Sequence, residues 1–524
     1  MGKISTYQTR LAFDISSKES ECLNEYALLL STVERKLYAD YRKSQSIIKN
    51  KNEYLKSHGI TARQFNAIRV NLQGKIDSVL TRHSDYIFET KEKIKYLTQK
   101  IKRLSKKESL TAKEKLSLHQ KKRKLTRLKH KLKILELDKK SKIARICFGS
   151  KKLFKRQFNL PANNYSRHEE WRVDWQDSRN SQFFLLGSKD EASGNQSCVA
   201  VLNEDGGINL KLRLPNRLVT KHGKYLEIDN LKFKYGNDVV ISAIKENMLR
   251  SKLRSKRNSS YDPNRYKSHG QAINFRFLRD SKGWRLFVTT KQHVKPKYAS
   301  TAMGSIGVDI NVDHLAVAEI DRTGNYINSF KIPCVTYGKT KEQAKAIIGD
   351  AIKALVDYAV LKEKPLVIEN LDFKNKKSKL GTQSKKYSRM LSSFSYSMIC
   401  QYIESRAYRN GVSVFKVNPA YSSVIGRCKF ARIYKGLSVH TSAAMVIARR
   451  ESGFSERLPR CWDNIPSNTG GYFTLSELVK IQDGHIWRTW SKVMRNVQAA
   501  LVEQYQINRH LCNASALMEE DIPL

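Results

Sequence analysis

The sequence predicts an α+β multidomain protein, with a basic helical region and a β-barrel-like module ahead of an α/β domain. Three observations predict this. Leucine and isoleucine recur at 3-4-3 spacing between residues 88 and 140, strand-like segments dominate residues 145–300, and helices alternate with strands after residue 305. The 524 residues are enough for several domains, each with its own core.

The charge balance indicates a polyanionic partner. The chain has 97 Lys+Arg against 49 Asp+Glu, a net charge of +48. The basic residues are spread through folded-looking segments, which favours nucleic acid over a membrane surface. No apolar run of about 18 residues occurs, and the first residues lack the apolar segment of a secretory signal. We therefore expect no membrane association and a cytoplasmic location.

The eight cysteines are dispersed, and none forms a CxxC pair. Zinc ribbons and zinc fingers need closely spaced cysteine or histidine ligands, so no zinc is expected. Dispersed single thiols fit a reducing compartment.

The first part of the chain is predicted to be helical and basic. Residues 1–15 supply a first strand of the β module, and residues 16–144 form a basic helical recognition region. Thr111 with Glu114 forms a capping box that divides residues 88–140 into an antiparallel helical hairpin with one apolar seam.

The predicted hairpin is strongly cationic. From residue 91 to 143 it carries 21 Lys/Arg against 5 Asp/Glu. One interpretation is a solvated basic coiled coil. We favour the other, in which the polar face lies along a nucleic-acid backbone, because a cationic rod repels itself without a counter-charge. The candidate contacts are Lys121, Lys122 and Lys124.

Residues 145–300 are predicted to form a nucleic-acid-binding β module. Two hairpins are expected, one around Asp205-Gly206 and one around residues 280–283. The segment KKLFKRQF, 151–158, interleaves basic and aromatic residues, which is typical of surfaces that bind a backbone and stack bases. An ordinary solvent-facing strand is an equally good interpretation. The candidate contacts are Lys151, Lys152, Lys155 and Arg156.

Residues 301–455 are predicted to form the α/β domain, followed by a partly helical C-terminal extension, 456–524. An amphipathic helix over residues 339–360 leads directly into PLVIENLDF, and a second helix, 390–409, leads into VSVFKV. Helix-to-strand repetition implies parallel strands joined by crossovers. We expect a mixed sheet with helices on its faces.

An aspartate interrupts the first strand of this domain. In GVDINVDHLAVAEID, Ile306, Val308 and Ile310 share one face of the strand and Asp309 lies on the other. A carboxylate among core residues is costly unless it is paired, and a divalent metal is one such partner. Glu369 ends a second apolar strand, Leu366 to Ile368. If the two strands are neighbours, both acids can meet at one metal, as phosphodiester hydrolysis requires.

These segments carry a resemblance. GVDINVDHLAVAEID resembles the first and PLVIENLDF the second RuvC motif of the TnpB-type nucleases associated with insertion sequences, which are similar to type V CRISPR effectors. The order of basic helices, β module and C-terminal domain also resembles that family. The resemblance implies an RNase H-like (RuvC) nuclease domain, a guide RNA, a double-stranded DNA target and Mg²⁺ (or Mn²⁺), with Asp309 and Glu369 as catalytic metal ligands, in a prokaryotic nucleoid-associated protein.

Two departures from the family pattern stand out. The zinc ribbon of two CxxC pairs is absent, since VIGRCKFARIYK supplies only Cys428 there. The aspartate of the third motif falls on His440 in GLSVHTSAAMVIARRE. His440 is therefore a candidate metal ligand or proton shuttle. The alternative is a capping or packing histidine that leaves the site one ligand short.

Several other residues are weaker candidates. Asn311 either orients a metal-bound water or makes a turn hydrogen bond, and Asp313 is expected to cap the bend before His314. Cations at the end of the last helix and in the loop after Glu369 are candidate nucleic-acid contacts. The remaining candidates are Asp372, Lys376, Lys377, Glu404, Arg449, Arg450, Glu451 and Asp463.

The sequence thus predicts a metal-dependent RNA-guided DNA endonuclease. Two alternatives stay open. The first is a guided DNA-binding protein without nuclease activity, because His440 replaces the usual acid. The second is an unguided transposase or junction resolvase of the same fold.

Overall fold

We describe a computed structural model of the chain over residues 2–11, 18–44, 51–191, 193–254, 269–371, 395–434, 436–457, 464–466, 472–474 and 485–495. The chain divides into two units, Met1–His293 and Val294–Leu524. In the described part of the chain, no helix is both long enough and apolar enough to span a bilayer.

Four helices open the first unit. They are α1 (Lys18–Ser44), α2 (Lys51–His58), α3 (Ala62–Ser105) and α4 (Ala112–Lys140). The Thr111–Glu114 capping box predicted at the start of α4 is confirmed. α3 and α4 pack against each other, with Leu97 buried between them and Lys91 2.9 Å from Glu136. Most side chains of α4 remain at least partly exposed, so this arm presents its cations to solvent.

The segment predicted as a strand at 151–158 is a helix, α5 (Lys151–Arg156), and a second helix follows, α6 (His168–Arg179). The strand interpretation was therefore wrong. Trp171 and Trp175 lie one turn apart on α6 and pack with Leu153 of α5 in a small aromatic cluster. Local alternation of basic and aromatic residues did not reveal this cluster, because the tryptophans that stabilise it lie further along the chain.

Seven strands of the first unit form two sheets. Among the described residues, the four-stranded sheet has the order β1-β7-β6-β2 and the three-stranded sheet the order β3-β4-β5, so these strands do not form the single continuous sheet of a closed barrel. The hairpins predicted around Asp205-Gly206 and residues 280–283 are confirmed as β3–β4 and β6–β7. The strands are β1 (Lys3–Arg10), β2 (Gln182–Leu185), β3 (Cys198–Leu202), β4 (Ile208–Arg213), β5 (Tyr225–Leu231), β6 (Asn274–Asp280) and β7 (Gly283–Gln292). Two further helices are α7 (Val219–His222) and α8 (Asn237–Arg254).

The second unit is built on a five-stranded mixed sheet. Its order is β10-β9-β8-β11-β12, with β8, β9 and β10 antiparallel and β8, β11 and β12 parallel. This is the strand order and direction of an RNase H-like domain, which confirms the predicted mixed sheet. The strands are β8 (Ile306–Ile310), β9 (His314–Ile320), β10 (Tyr326–Pro333), β11 (Leu366–Glu369) and β12 (Val414–Val417).

Helices cover both faces of this sheet. α9 (Lys341–Leu361) and α10 (Tyr396–Arg409) cover one face, where Ile348 and Ile352 pack with Ile306 and Val308. α11 (Val439–Glu451) covers the other face. Three helical turns lead into α11: Ser422–Ile425, Gly426–Phe430 and Ala431–Ile433.

The described part of the C-terminal extension packs against the α11 side of the domain. Residues 486–495 are helical, and Trp490 and Val493 are fully buried with Met445 of α11. The extension is thus helical in part, as the sequence predicts. Two short strands, β13 (Asn464–Pro466) and β14 (Tyr472–Thr474), pair with each other.

One ion pair is buried at the outer part of this sheet. Lys364 Nζ lies 2.7 Å from Glu319 Oε1, and both residues are less than a tenth exposed. Lys364 also donates to the Ile320 carbonyl at 2.9 Å, and the Tyr358 hydroxyl donates to Glu319 at 2.5 Å. Burial alone would raise the pKa of Glu319, but the bonds from Lys364 and Tyr358 outweigh it and lower that pKa.

Candidate functional site

The site is organised by a close contact between α11 and β8. Gly307 has no side chain, and a Cβ atom at this position would overlap the Ala444 carbonyl oxygen. The helix therefore rests directly on the strand. His440 lies one helical turn before Ala444, and Asp309 lies two residues beyond Gly307. The first step is about 6.0 Å along the helix and the second about 6.6 Å along the strand. The two steps are similar in length, and His440 contacts Asp309.

Two side chains, Asn311 and His440, contact the same carboxylate oxygen of Asp309. Asp309 is only 9% exposed. Its Oδ2 accepts from Asn311 Nδ2 at 3.0 Å and lies 3.2 Å from His440 Nδ1. Asn311 thus fixes the Asp309 carboxylate from the turn after β8. Ser438 caps α11 and accepts from the Thr441 amide at 3.2 Å, which places His440 in the first turn of the helix rather than at the cap.

Glu369 lies beside Asp309 on the neighbouring parallel strand. Val308 and Ile368 are register partners, so Asp309 and Glu369 occupy the next position on each strand. Neighbouring strands are about 4.8 Å apart, and residues in register on parallel strands point to the same face. Val367, two residues before Glu369, packs with Ile447 of α11, which identifies this face as the one that α11 covers.

The end of β11 is fixed from the opposite side of the sheet. The Tyr396 hydroxyl of α10 donates to the Glu369 carbonyl oxygen at 2.5 Å and accepts from the Leu371 amide at 3.2 Å. Burial raises the pKa of Tyr396, which keeps it protonated as a donor. The carboxyl ends of parallel strands are where open α/β sheets bind ligands, and both acids lie there.

The donor types suit a hard divalent cation. Carboxylate oxygens are the ligands that Mg²⁺ and Mn²⁺ prefer, and an imidazole suits several divalent metals. Within the described ranges, however, no three His, Cys, Asp or Glu side chains are arranged to hold an ion together. His440 is instead the hydrogen-bond partner of Asp309. The residues therefore fit a cation through two carboxylates on adjacent strands, with the histidine acting on one of them.

A second histidine, not singled out from the sequence, lies at the site. The His314 and His440 rings are 5.0 Å apart, nearly perpendicular. His314 Nδ1 lies 2.8 Å from Asp313 Oδ1, and this hydrogen bond lowers the pKa of Asp313. The Asp313 side chain thus partners His314, and its expected capping of the bend stays a prediction. The short turn between β8 and β9 was the available signal, because it returns His314 to the end of β8.

Both arginines at the end of α11 have internal partners. Arg450 donates to the Ala420 carbonyl at 2.9 Å, and burial lowers its pKa while the nearby Glu369 opposes that shift. Arg449 pairs with Glu456 and lies against the ring of Phe430. The arginines contribute to folding here, and their contact with nucleic acid stays a prediction.

The other acidic candidates lie outside the site or outside the described residues. Glu404 pairs with Lys416 at 2.6 Å. Burial raises the pKa of Glu451 at the far end of α11. Four candidates fall outside the described ranges: Asp372, Lys376, Lys377 and Asp463.

The cationic candidates of the first unit lie on two surface helices. Lys122 and Lys124 of α4 are exposed, and Lys121 contacts the Ser117 hydroxyl. On α5, the lysines are exposed and the arginine is half-buried: Lys151, Lys152, Lys155 and Arg156. Their availability to a polyanion is consistent with the sequence prediction, which stays untested.

Comparison with known proteins finds structural but no sequence relatives. No protein-family model and no curated protein matches the chain. The structure is similar to RuvC of T. thermophilus in complex with a Holliday junction substrate, with 14% identity over 30% of this chain and 99% of that chain, at a TM-score of 0.21. It is also similar to Cas12f1 in an sgRNA–target DNA complex, with 10% identity over 86% of this chain and 100% of that chain, at a TM-score of 0.21.

A third similarity is to Cas12i1 in an R-loop complex before target DNA cleavage. Identity is 10% over 90% of this chain and 55% of that chain, at a TM-score of 0.25. The RNase H-like assignment rests on strand order and direction in the second unit.

Proposed function

We propose that the chain is a metal-dependent DNA endonuclease with a RuvC-like site, directed to its target by a guide RNA. One observation carries the proposal. Asp309 and Glu369 occupy adjacent positions on neighbouring parallel strands of an RNase H-like sheet, on the face where His440 reaches Asp309. A pair of carboxylates at the carboxyl ends of such strands suits phosphodiester hydrolysis through a divalent cation.

Each residue has a distinct part in this proposal. Asp309 and Glu369 would hold Mg²⁺ or Mn²⁺, which supplies Lewis-acid stabilisation of the charge that develops on the phosphate oxygens. Asn311 orients Asp309 through its 3.0 Å hydrogen bond. His440 Nδ1 lies 3.2 Å from Asp309 Oδ2 and would hold that carboxylate in place from α11.

The guide-RNA part of the proposal rests on charge. The net charge of +48 and the exposed cations of α4 suit a long polyanion whose backbone, rather than its sequence, the protein contacts. In RNA-guided recognition, base pairing provides sequence specificity and the protein recognises a short flanking motif. The TnpB resemblance of the two acidic motifs supports the same assignment.

A cleavage assay with two variants of His440 tests the active-site assignment. With guide RNA and Mg²⁺, wild-type protein is expected to cut a matched DNA duplex. His440→Ala is expected to be about 10–100-fold slower, the usual cost of losing a residue that orients a metal ligand. His440→Asp restores the acid of the family pattern and is expected to cut at least as fast as His440→Ala. Equal rates for wild type and His440→Ala would contradict the role given to His440.

A guided DNA-binding protein without cleavage is the second candidate function. The observation that favours it is the hydrogen bond between His440 and Asp309, since a third carboxylate is absent from that helical position. The same assay separates the two. Tight guide-dependent DNA binding by wild-type protein with no product, even with Mn²⁺, would reject the endonuclease and support the binding protein.

Sequencing of RNA that copurifies with the protein tests guidance itself. A discrete RNA species is expected, with one constant segment and one variable segment. Protein that carries no discrete RNA and cuts branched DNA unaided would instead support an unguided resolvase or transposase.

A further inference from the structure

The first unit contains a large cavity that the nuclease assignment does not use. Its volume is about 1050 Å³, and α1, α3, α4 and β2 contribute to its walls. Pockets that bind drug-sized ligands usually measure about 300–1,000 Å³, so this one can hold more than a single small molecule.

The charged groups of the cavity wall are unbalanced. Lys75 pairs with Glu34 at 2.7 Å, and Arg145 pairs with Asp138 at 2.6 Å. These pairs account for both acidic residues of the wall. Four cations of the wall have no carboxylate partner within the described part of the chain: Lys131, Lys151, Arg179 and Arg276. The wall therefore carries an excess of positive charge, with Arg179 half-buried and the other three cations exposed.

Arg179 is the one of these four cations that has a buried N–H group without a partner among the described residues. Its Nε is buried and lacks a hydrogen-bond partner among the described residues, while its guanidinium lies 5.6 Å from the centre of the Trp175 ring. Burial lowers the pKa of the neighbouring Arg35, and the charge of Arg179 lowers it further. A buried N–H group without a hydrogen-bond partner lowers the stability of the folded protein. A phosphate accepts several hydrogen bonds from arginine, and its negative charge offsets the repulsion between two neighbouring guanidinium groups.

Aromatic side chains lie on the same wall. Phe148, Phe184 and Tyr86 line the cavity, and each is half-buried. Phe184 of β2 is the register partner of Arg276 on β6, so a ring and a guanidinium lie side by side there. Alternating rings and cations are the arrangement that binds unpaired nucleotides, because bases stack on rings while phosphates contact cations.

Gly74 keeps the cavity open on the side of α3. A glycine inside a helix costs about 1 kcal/mol relative to alanine. A Cβ atom at this position would meet nothing within 4 Å, so packing does not require the missing side chain. Gly74 therefore leaves space beside α3 although it lowers the stability of the helix. Such a space is expected where a ligand binds.

We propose that this cavity binds unpaired nucleotides of a single-stranded RNA segment, with Arg179 and Arg276 on the phosphates and Phe148 and Phe184 against the bases. The proposal rests on the guide RNA of the proposed function and identifies where part of that RNA is held. The cavity lies entirely within the first unit and does not depend on the nuclease site.

The test measures binding of a fluorescent oligouridine of about eight nucleotides, within the usual range of single-strand sites. Full-length protein is used at about 0.2 M salt, which suppresses binding through backbone charge alone. Gly74 is an exposed residue of the cavity lining, so Gly74→Phe places a large side chain at the edge of the cavity and is expected to weaken binding by about 10-fold or more. Gly74→Ala is the matched control and is expected to bind within about twofold of wild type, since alanine is the better helix former.

A second measurement covers the case in which Gly74→Phe does not fold. Oligouridine carrying 4-thiouridine is crosslinked to wild-type protein, and crosslinks are expected on Phe148, Phe184 or Tyr86. Crosslinks confined to other surfaces, or unchanged binding by a folded Gly74→Phe protein, would overturn the proposal. Tighter binding of the same sequence as DNA would overturn its assignment to RNA.

The outcome is separable from that of the proposed function. Asp309→Ala is expected to bind the oligouridine as wild type does. Protein that binds RNA in the cavity without cutting DNA would refute the nuclease and leave the cavity assignment intact. If Gly74→Phe protein cuts guided DNA and binds oligouridine like wild type, the cavity assignment is refuted and the nuclease assignment stands.

Discussion

Asp309→Ala is expected to lower the rate of guided DNA cleavage by about 10³-fold or more while guide-RNA binding stays unchanged. A metal that stabilises transition-state charge is worth several kcal/mol, and each 1.36 kcal/mol corresponds to a factor of ten. Asp309 accepts bonds from both Asn311 and His440, so its loss also releases the groups that the structure aligns on it. The measurement is the single-turnover cleavage rate with saturating guide RNA and Mg²⁺.

The matched control is Asp350→Ala. Asp350 is an exposed aspartate on α9, outside the site, and its replacement is expected to leave the rate within about twofold because exposed substitutions have small effects. If Asp309→Ala cuts within tenfold of wild type, Asp309 does not ligate a catalytic ion.

Lys364→Ala is expected to lower the free energy of unfolding by about 3–5 kcal/mol, because removing one partner of a buried ion pair leaves the other charge buried without compensation. Among the described residues, the remaining partner of the Glu319 carboxylate would be the Tyr358 hydroxyl. Lys353→Ala is the matched control, since Lys353 is exposed on α9 and its replacement is expected to change stability by no more than about 0.5 kcal/mol. Urea unfolding of both variants provides the measurement.

The pH dependence of that difference has a definite sign. The pKa of Glu319 is lower in the folded protein than in the unfolded chain. Its contribution is therefore complete above the unfolded pKa and is lost as the pH falls through the folded pKa. The stability gap between wild type and Lys364→Ala is expected to narrow in acid. If the difference in unfolding free energy between wild type and Lys364→Ala stays constant or grows in acid, the ion pair is not the source of that difference.

The placement of Asp309 and Glu369 at the same edge of the sheet was accessible from sequence for physical reasons. Strand side chains alternate with a period of two, so the apolar Ile306, Val308 and Ile310 assigned Asp309 to the opposite face. The helix between the two strands implied a parallel crossover, which places both strand ends at the same edge. The exact register, Val308 with Ile368, required the structure.

Other features depended on contacts between distant residues. The helix at 151–156 is stabilised by Trp171 and Trp175, which no local pattern connects to it. The close contact between α11 and Gly307 determines where His440 lies. This contact is possible because Gly307 has no side chain. His314 comes to the site through the short β8–β9 turn, and it was not singled out although it lies within the motif that carries Asp309.

The central claim is that Asp309 and Glu369 together hold a divalent cation, and anomalous X-ray scattering from crystals soaked in Mn²⁺ tests it most directly. A single strong peak is expected about 2.0–2.6 Å from a carboxylate oxygen of each residue. The peak is expected to disappear in Asp309→Ala crystals. Well-ordered Asp309 and Glu369 side chains without a shared peak, or with carboxylates more than about 12 Å apart, too far for even two shared ions, would contradict the account.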